Sequence, residues 1–200
     1  MGARHTTSDA GWRWAAAEIA RHTVPLDEEA LGQLAGILEK RSIAKGTLFL
    51  REGDIARSMG MVEKGMVRQF YRKKDYEITE HLTYEGHLFV CLESFINQSP
   101  SSLCVEALED TVLYEIPYLS LHALMDKNPE IRKLYCAILE SSLIISQRKA
   151  DARRRQSAKE RYCQLETEHP EIIKRVPQIY IASLLEMSPE TLSRIRAGKI

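Results

Sequence analysis

The sequence predicts an α+β protein in which an N-terminal β-roll or jelly roll, with flanking helices, precedes a long helix and a C-terminal all-α helix-turn-helix domain. Short β-favouring runs alternate with turn signals between residues 42 and 116. An amphipathic stretch without Gly or Pro covers residues 130–155, and two short helical patterns with a capped turn lie between residues 176 and 196. We expect domain boundaries at 1–128, 129–156 and 157–200.

Composition places the chain among ordinary globular proteins, with 44% hydrophobic and 28% charged residues. The N-terminus has no apolar signal segment and no apolar run approaches eighteen residues, so we expect neither export nor membrane spanning. The four cysteines are widely spaced, without a C-x-x-C pair. We therefore expect no metal site, no disulfide framework and a reducing cytoplasm.

The first domain begins with two predicted helices, Trp12 to Arg21 and Asp27 to Arg41, the second with Asp27 as its N-cap. Regularly spaced β-favouring runs follow and favour a sandwich or barrel. The candidate strands are Thr47 to Arg51, Met59 to Glu63, Met66 to Tyr71, Ile78 to Thr83, Leu103 to Ala107 and Val112 to Ile116. A helix from Tyr118 to Asp126, ending near Pro129, closes the domain.

The long helix carries apolar residues at three- and four-residue steps along one side, including Leu134, Ile138 and Ile145. That side can pack against the chain's own β-roll or against another protein surface. Leu143 and Ile144 belong to a second face that could also pack on the β-roll. Ser157 and Glu160 then form a capping-box pattern, which predicts that a new helix begins there.

The last helices have the spacing of a helix-turn-helix. Pro177 suits the first turn of a helix, and Ile181 and Leu184 follow at helical spacing. Met187 marks the turn. Ser188 before Pro189 is an N-cap followed by the residue that best tolerates the first helical position, so a second helix is expected there.

The second of these helices pairs an apolar side with a polar side that suits base reading. Glu190 and Arg194 are four residues apart and therefore adjacent on one face, with Ser193 beside them. Arginine can bind both guanine acceptors in the major groove, and a carboxylate can accept from the cytosine amino group, so a G·C pair suits them. The alternative is a surface ion pair of small energy beside the helix dipole.

The charge is unevenly distributed although the formal net charge is zero. Residues 1–147 contain 16 Lys and Arg against 21 Asp and Glu, whereas residues 148–200 contain 12 against 7, so the two parts carry −5 and +5. The basic part holds the helix-turn-helix pattern and can attract phosphates. Arg153 to Arg155 could contact DNA, the acidic first domain or only solvent.

The terminal helices resemble the C-terminal domain of the Crp/Fnr transcription regulators, whose recognition helix has a Glu-Thr-x-Ser-Arg core after an Ile-Ala pair. The matching residues are Ile181, Ala182, Glu190, Thr191, Ser193 and Arg194. The resemblance implies base contacts by Glu190, Ser193 and Arg194, and phosphate contacts by Gln178 and Thr191. The whole expected DNA-binding set is Gln178, Ser188, Glu190, Thr191, Ser193, Arg194 and Arg196.

Family members continue past the recognition helix into a small β wing. Here Ala197, Gly198 and Lys199 are followed by Ile200 as the last residue given, and we expect no evident wing. Contacts between a wing and DNA phosphates are therefore not part of the predicted interface.

The β-rich part, with Gly65-x-Val67-Arg68, looks like the cyclic-nucleotide-binding β-roll of the same family, which implies a sensing domain. Its phosphate cassette departs from the family pattern, because Val90-Cys91 stands where Gly-Glu would be and Ser101 where the phosphate-binding arginine would be. No Lys or Arg occurs from residue 75 to residue 126, a span with ten acidic residues. A buried phosphate would lack a cation, which costs roughly 3–5 kcal/mol.

We therefore expect no response to cAMP and no resident cofactor. The pocket is either empty or takes another small-molecule effector, neutral or cationic, with Val90, Cys91, Ser101 and Ser102 as tentative lining. An equally good interpretation makes these residues ordinary loop and core positions. The resemblance further implies a homodimer formed through Leu134, Ile138 and Ile145.

The function that follows is a sequence-specific transcription regulator, not an enzyme, with double-stranded DNA, a second copy of the chain and RNA polymerase as implied partners and no membrane. One alternative is a sensor or interaction protein of the same fold with weak or no DNA binding. Another is a cupin-like metalloenzyme using His81, Glu85 and His87, which the lack of an H-x-H pair disfavours. Metal analysis and salt-dependent duplex binding discriminate among these functions.

Overall fold

The computed structural model describes residues 9–21 and 23–199. Helices α1, α2, α3 and α4 are Asp9–Arg21, Glu28–Ala35, Leu92–Asn97 and Tyr118–Met125. Strands β1 to β8 are Glu39–Ile43, Leu48–Leu50, Ser58–Lys64, Met66–Arg72, Glu77–Tyr84, Leu88–Phe89, Leu103–Ala107 and Thr111–Pro117. The C-terminal helices α5 to α9 are Pro129–Arg155, Ala158–Glu168, Pro170–Arg175, Gln178–Leu184 and Pro189–Arg196.

The strands form a sandwich of two antiparallel sheets, with strand orders β1-β8-β3-β6 and β2-β7-β4-β5. The inner faces enclose a core that includes Met61, Val67 and Leu113, all fully buried. Each of the six candidate strands is found within a residue or two of its expected bounds, so the mixed α+β fold is confirmed. Burial alternates along β8 except at Tyr114, which is also buried and packs against Trp12 of α1.

The helix expected from Asp27 to Arg41 is wrong in its second half. Asp27 does cap α2, because its carboxylate accepts a hydrogen bond from the Ala30 amide at 2.7 Å. The helix ends at Ala35, however, and Glu39–Ile43 pairs with β8 as an edge strand. Four of these five residues are exposed, so no alternating pattern marks them as a strand. Pairing with β8 decides their conformation, just as pairing with β3 decides that of the two-residue β6.

Helix α5 begins where expected, with Asn128 as N-cap accepting from the Glu130 amide. Leu134 and Ile138 are buried in the chain's own core, with 1% and 6% of their surface exposed. Their assignment to a dimer interface is therefore corrected, because they have almost no surface left to bury against a second copy. The apolar residues left exposed lie further along α5 and are Leu143, Ile144 and Ile145.

The C-terminal helices form a second apolar cluster. The capping box predicted at Ser157 and Glu160 is present, with both reciprocal hydrogen bonds. Helix α8 ends at Leu184, and Glu186 takes a left-handed conformation in the turn before α9. Helix α9 begins after Ser188, whose hydroxyl accepts from the Thr191 amide. Both helices of the predicted helix-turn-helix are therefore present.

The second cluster extends onto the β-sandwich. Met66 of β4 is fully buried and belongs to it, together with residues of α6 to α9, and Leu82, Tyr84 and Leu108 pack against it. The C-terminal helices are thus docked on the outer face of the sheet that contains β4 and β5. In the described part of the chain, no helix is long and apolar enough to cross a membrane.

Candidate nucleic-acid interface and ligand cavity

Helix α9 separates its apolar and polar sides completely. Leu192 and Ile195 point into the second cluster and are buried, whereas Glu190, Ser193 and Arg194 are exposed. The side chains expected to read bases are therefore accessible even though the C-terminal helices are docked on the sheet. Docking involves α7 and α8 and leaves this side of α9 uncovered.

The start of α9 keeps Glu190 ionised. A hydrogen bond from its own backbone amide and another from the Ser188 hydroxyl lower the pKa of Glu190. The Ser188 hydroxyl also lies 3.1 Å from the Thr191 hydroxyl, so both residues serve the cap whatever else they contact. Among the described residues, no salt bridge joins Glu190 to Arg194, and the ion-pair alternative is not observed.

The remaining residues of the expected DNA-binding set lie on the same helical hairpin. Gln178 is exposed at the first position of α8, and Arg196 is exposed in the last turn of α9. The structure thus brings this set to two adjacent helices and the turn between them. Helix N-termini and exposed cations are common phosphate partners.

A cavity of about 310 Å³ lies between the second sheet, α3 and the middle of α5. Val90, Cys91, Ser101 and Ser102 all line it, so the structure brings the four tentative pocket residues together. Sequence reasoning missed the rest of the wall. Strands β4 and β5 contribute Gln69, Tyr71, Glu80, His81 and Thr83, and α5 contributes Ser142, Ile145 and Ser146.

The described side chains that line the cavity carry no positive charge at neutral pH. None of the described residues that line it is Lys or Arg. Burial and the nearby Lys149 lower the pKa of His81 to about 4, so its imidazole is neutral. Burial raises the pKa of the Cys91 thiol. Glu80 stays ionised, because Lys149 donates to its carboxylate at 2.6 Å.

The wall differs from the family's pattern for a cyclic nucleotide. Its phosphate needs a cation in a desolvated site, but the hydroxyl of Ser101 donates to the Leu103 carbonyl at 3.0 Å where the family has an arginine. Arg41 and Arg57 line a separate cavity of about 510 Å³. The Arg41 guanidinium is already paired with Glu115 at 3.2 Å. Within the described residues, no group of three His, Cys, Asp or Glu could hold a metal ion.

The C-terminal helices are held to the sheet by a surface that we call the docking seam. It comprises Arg68, Thr79, Glu85 and Glu109 on the sandwich, and Arg175, Tyr180 and Ser183 on α7 and α8. Its charged and polar contacts cross between the acidic and basic parts of the chain.

Arg68 is a buried cation at the centre of the seam, with 1% of its side chain exposed. It donates to Glu77 at 2.7 Å, to Glu106 at 2.9 Å and to the Thr79 hydroxyl at 2.9 Å. Its guanidinium also lies 3.8 Å from the centre of the Tyr180 ring. One side chain therefore joins two strands of the sheet to α8.

Arg175 forms the second anchor of the seam. Its guanidinium makes two hydrogen bonds to Glu85, at 2.7 and 2.9 Å, and two to Glu109, at 2.9 and 2.7 Å. Glu85 is itself held by the Gly65 amide at 2.8 Å. The Arg175 guanidinium and this amide lower the pKa of Glu85 to about 2 against the effect of burial.

Comparison with known proteins agrees with this architecture. Residues 40–128 match the family model of the cyclic nucleotide-binding domain. The fumarate and nitrate reduction regulatory protein of Vibrio cholerae is 30% identical over 140 residues, which cover 64% of this chain and 54% of that protein. The chain is a homologue of Crp/Fnr regulators. It spans about half the length of this curated relative.

Solved structures extend the likeness of this Crp/Fnr homologue to the whole fold. The catabolite activator protein of Thermus thermophilus has a TM-score of 0.58 and 22% identity, covering 90% of this chain and 85% of that one. The c-di-GMP-responsive regulator CLP of Xanthomonas campestris has a TM-score of 0.66 and 20% identity, covering 86% and 91%. By name, these relatives are a regulatory protein, a catabolite activator protein and a global regulator.

Sequence reasoning missed the docking seam as a functional surface. Arg68 appeared only as part of a motif, and Arg175 was not singled out. The usable signal was the charge split, because an acidic sandwich and a basic C-terminal part favour ion pairs between them. Arg153 does make such a contact, lying 3.9 Å from Glu80 and 2.7 Å from Glu186.

Proposed function

We propose that this Crp/Fnr homologue is a sequence-specific DNA-binding transcription regulator that performs no chemistry. The observation that carries the proposal is the exposed side of α9, where an ionised carboxylate, a hydroxyl and a guanidinium project from a capped helix. Its opposite side is anchored by Leu192 and Ile195. An anchored helix presents these groups in a fixed relation, as major-groove readout requires.

Each reading residue has a role that follows from its hydrogen-bonding groups. Arg194 donates to the two acceptors of a guanine, and Glu190 accepts from a cytosine amino group. Gln178, at the start of α8, contacts a phosphate and sets the position of the hairpin on the duplex. Ser193 lies between the two charged residues and can contact either base edge.

The DNA-binding form is proposed to be a homodimer that pairs through α5. Leu143, Ile144 and Ile145 leave 70%, 51% and 51% of their surface exposed in a single chain, and burying such a patch is favourable. Two reading helices related by a two-fold axis would enter successive major grooves, roughly 34 Å apart on a near-palindromic site. RNA polymerase is a further proposed partner of the bound dimer.

We propose that cAMP is not the effector, because no described residue of the 310 Å³ cavity supplies a cation. A different small molecule, neutral or cationic, would act by favouring one dimer geometry over another. Such a ligand shifts the population of the DNA-competent state by its difference in affinity between the two states.

Selection of bound fragments from random duplex DNA tests the proposal. The wild-type chain should enrich a near-palindromic sequence. Arg194→Ala should cost about 1–3 kcal/mol and lose preference at one base pair of each half-site. Gln178→Ala is the matched control, which should weaken binding to all sequences equally because a phosphate contact carries no base information.

The second candidate function keeps the fold without useful DNA affinity, as in a sensor or interaction protein. It predicts no enriched sequence and no steep dependence of duplex binding on salt. Uniform loss of binding in Arg194→Ala, without any change in base preference, would contradict the reading role of that residue and leave DNA binding itself intact.

A further inference from the structure

The two sides of strands β4 and β5 face different functional surfaces. On β4, Gln69 and Tyr71 line the cavity, whereas Arg68 belongs to the docking seam. On β5, His81 lines the cavity, whereas the Thr79 amide donates to the Ser183 hydroxyl of α8 at 2.9 Å. On β4, neighbouring side chains therefore face the cavity and the docking seam in alternation. On β5, a register shift between Thr79 and His81 lets the same strand serve both surfaces, with the Thr79 amide on one side and the His81 side chain on the other.

The contacts across the seam fix the orientation of the helix-turn-helix in several independent ways. The Tyr180 ring stacks on the Arg68 guanidinium, and the Ser183 hydroxyl accepts a hydrogen bond from the Thr79 amide of edge strand β5. Arg175 donates hydrogen bonds to the carboxylates of both Glu85 and Glu109. Gln156 follows the end of α5 in an extended conformation, and without the seam α6 to α9 could rotate about this connection. In this orientation the reading side of α9 stays exposed.

The contact of Arg175 has the geometry that best resists rotation. Two bidentate arginine–carboxylate pairs place four N–H donors of one guanidinium against two planar carboxylates, which specifies direction as well as distance. The carboxylates come from two different turns of the sandwich, Glu85 after β5 and Glu109 between β7 and β8. Holding both at once leaves α7 with one position relative to the sheet.

We propose that Arg175 is a positioning residue for DNA reading, whose clamp on Glu85 and Glu109 holds the helix-turn-helix in its DNA-competent orientation. This inference rests on the proposed function and adds to it the element that couples the sandwich to the reading helix. Arg175 acts through the position of α9. It is not proposed to contact DNA.

The chain offers its own probes of this orientation. Cys136 on α5 and Cys163 on α6 are exposed, whereas Cys91 and Cys104 are buried. Spin labels on the exposed pair report the distance between α5 and the C-terminal helices in the full-length protein. The wild type should give a narrow distance distribution without DNA. Glu85→Gln/Glu109→Gln should broaden it, and Lys174→Gln, next to Arg175 but paired with Glu171 of its own helix, should not.

DNA affinity separates positioning from direct contact. If the helix-turn-helix of Glu85→Gln/Glu109→Gln stays docked on the sheet in only about a tenth of the molecules, the affinity for the selected DNA sequence should fall about tenfold. The base preference should be unchanged. A phosphate contact by Arg175 predicts the opposite, because removing two carboxylates would free the arginine and strengthen binding. Arg175→Glu should also lose affinity, and Arg175→Glu/Glu85→Arg should recover part of it.

Two results would overturn the inference. One is an unchanged distance distribution in Glu85→Gln/Glu109→Gln. The other is tighter DNA binding in that variant, which would mean that the docked orientation keeps the helix-turn-helix from binding DNA. If the wild type binds no duplex, the proposed function fails, whereas the distance measurement still decides whether the clamp sets the orientation.

Discussion

Replacement of the buried Arg68 by Met should destabilise the chain strongly. Arg68 is 1% exposed, and its two carboxylate partners, Glu106 and Glu77, are 18% and 38% exposed. Removing one partner of a buried pair costs about 3–5 kcal/mol, because the other charge is left without compensation. Glu77 is partly screened by water, so we expect about 3 kcal/mol, near the low end of that range.

Thermal unfolding followed by circular dichroism measures this effect. For a chain of this size, a loss of about 3 kcal/mol lowers Tm by about 6–12 °C. Arg72→Met is the matched control, since Arg72 lies on the same strand but is exposed, 6.0 Å from the Phe70 ring. Its free energy of unfolding should change by no more than about 0.5 kcal/mol.

A triple variant distinguishes lost charge compensation from lost packing. Arg68→Met/Glu77→Gln/Glu106→Gln removes all three charges, and replacement of a complete buried ion cluster is often nearly neutral. It should therefore recover most of the Tm lost in the single variant. The reasoning fails if Arg68→Met lowers Tm no more than Arg72→Met, or if the triple variant is less stable than the single one.

Three further predictions concern assembly, ligand choice and pH. Ile144→Glu should yield monomers by light scattering while Arg148→Glu stays dimeric, and a dimeric Ile144→Glu would exclude α5 as the interface. Calorimetric titration with cAMP should show a dissociation constant at least about 100-fold above micromolar. A saturable signal with a micromolar dissociation constant would contradict the argument that the cavity lacks a cation for the phosphate. Because the pKa of His81 falls to about 4 on folding, against about 6.5 unfolded, its neutral form contributes stability that is complete above pH 6.5 and lost as pH falls towards 4. The free energy of unfolding of His81→Gln, measured with denaturant, should not show this loss between pH 6.5 and 4. Identical pH dependences of the wild type and the variant would contradict the role of His81.

Local signals accounted for most of the secondary structure. Short β-favouring runs between turn signals predicted six strands, and Asp27, Ser157 and Ser188 cap helices where expected. Such signals act over a few residues, through the turn residues that end a strand or a hydrogen bond to the third amide of a helix. They failed for Glu39–Ile43, where pairing with a strand far along the chain decides the conformation.

The long helix shows where periodicity stops being informative. Its apolar stripe predicted an amphipathic helix, and α5 is one, but the stripe did not say which partner each part contacts. Leu134 and Ile138 pack on the chain's own sandwich, whereas Leu143 and Ile144, for which packing on the β-roll was one alternative, are exposed. Which end of the helix the sandwich covers depends on how α4 and the sheets position it.

By itself, the sequence determined the mixed architecture, the capped helix-turn-helix with Glu190 and Arg194 on its outer side, and the scarcity of cations around the cavity segment. Only the tertiary structure decided that the cavity wall is completed by β4, β5 and α5, and that Arg175 clamps Glu85 and Glu109. Arg175 and Glu85 are 90 residues apart, and Ser183 and Thr79 are 104 apart. Contacts at such separations arise from the packing of whole elements, which leaves no periodic or capping pattern near either residue.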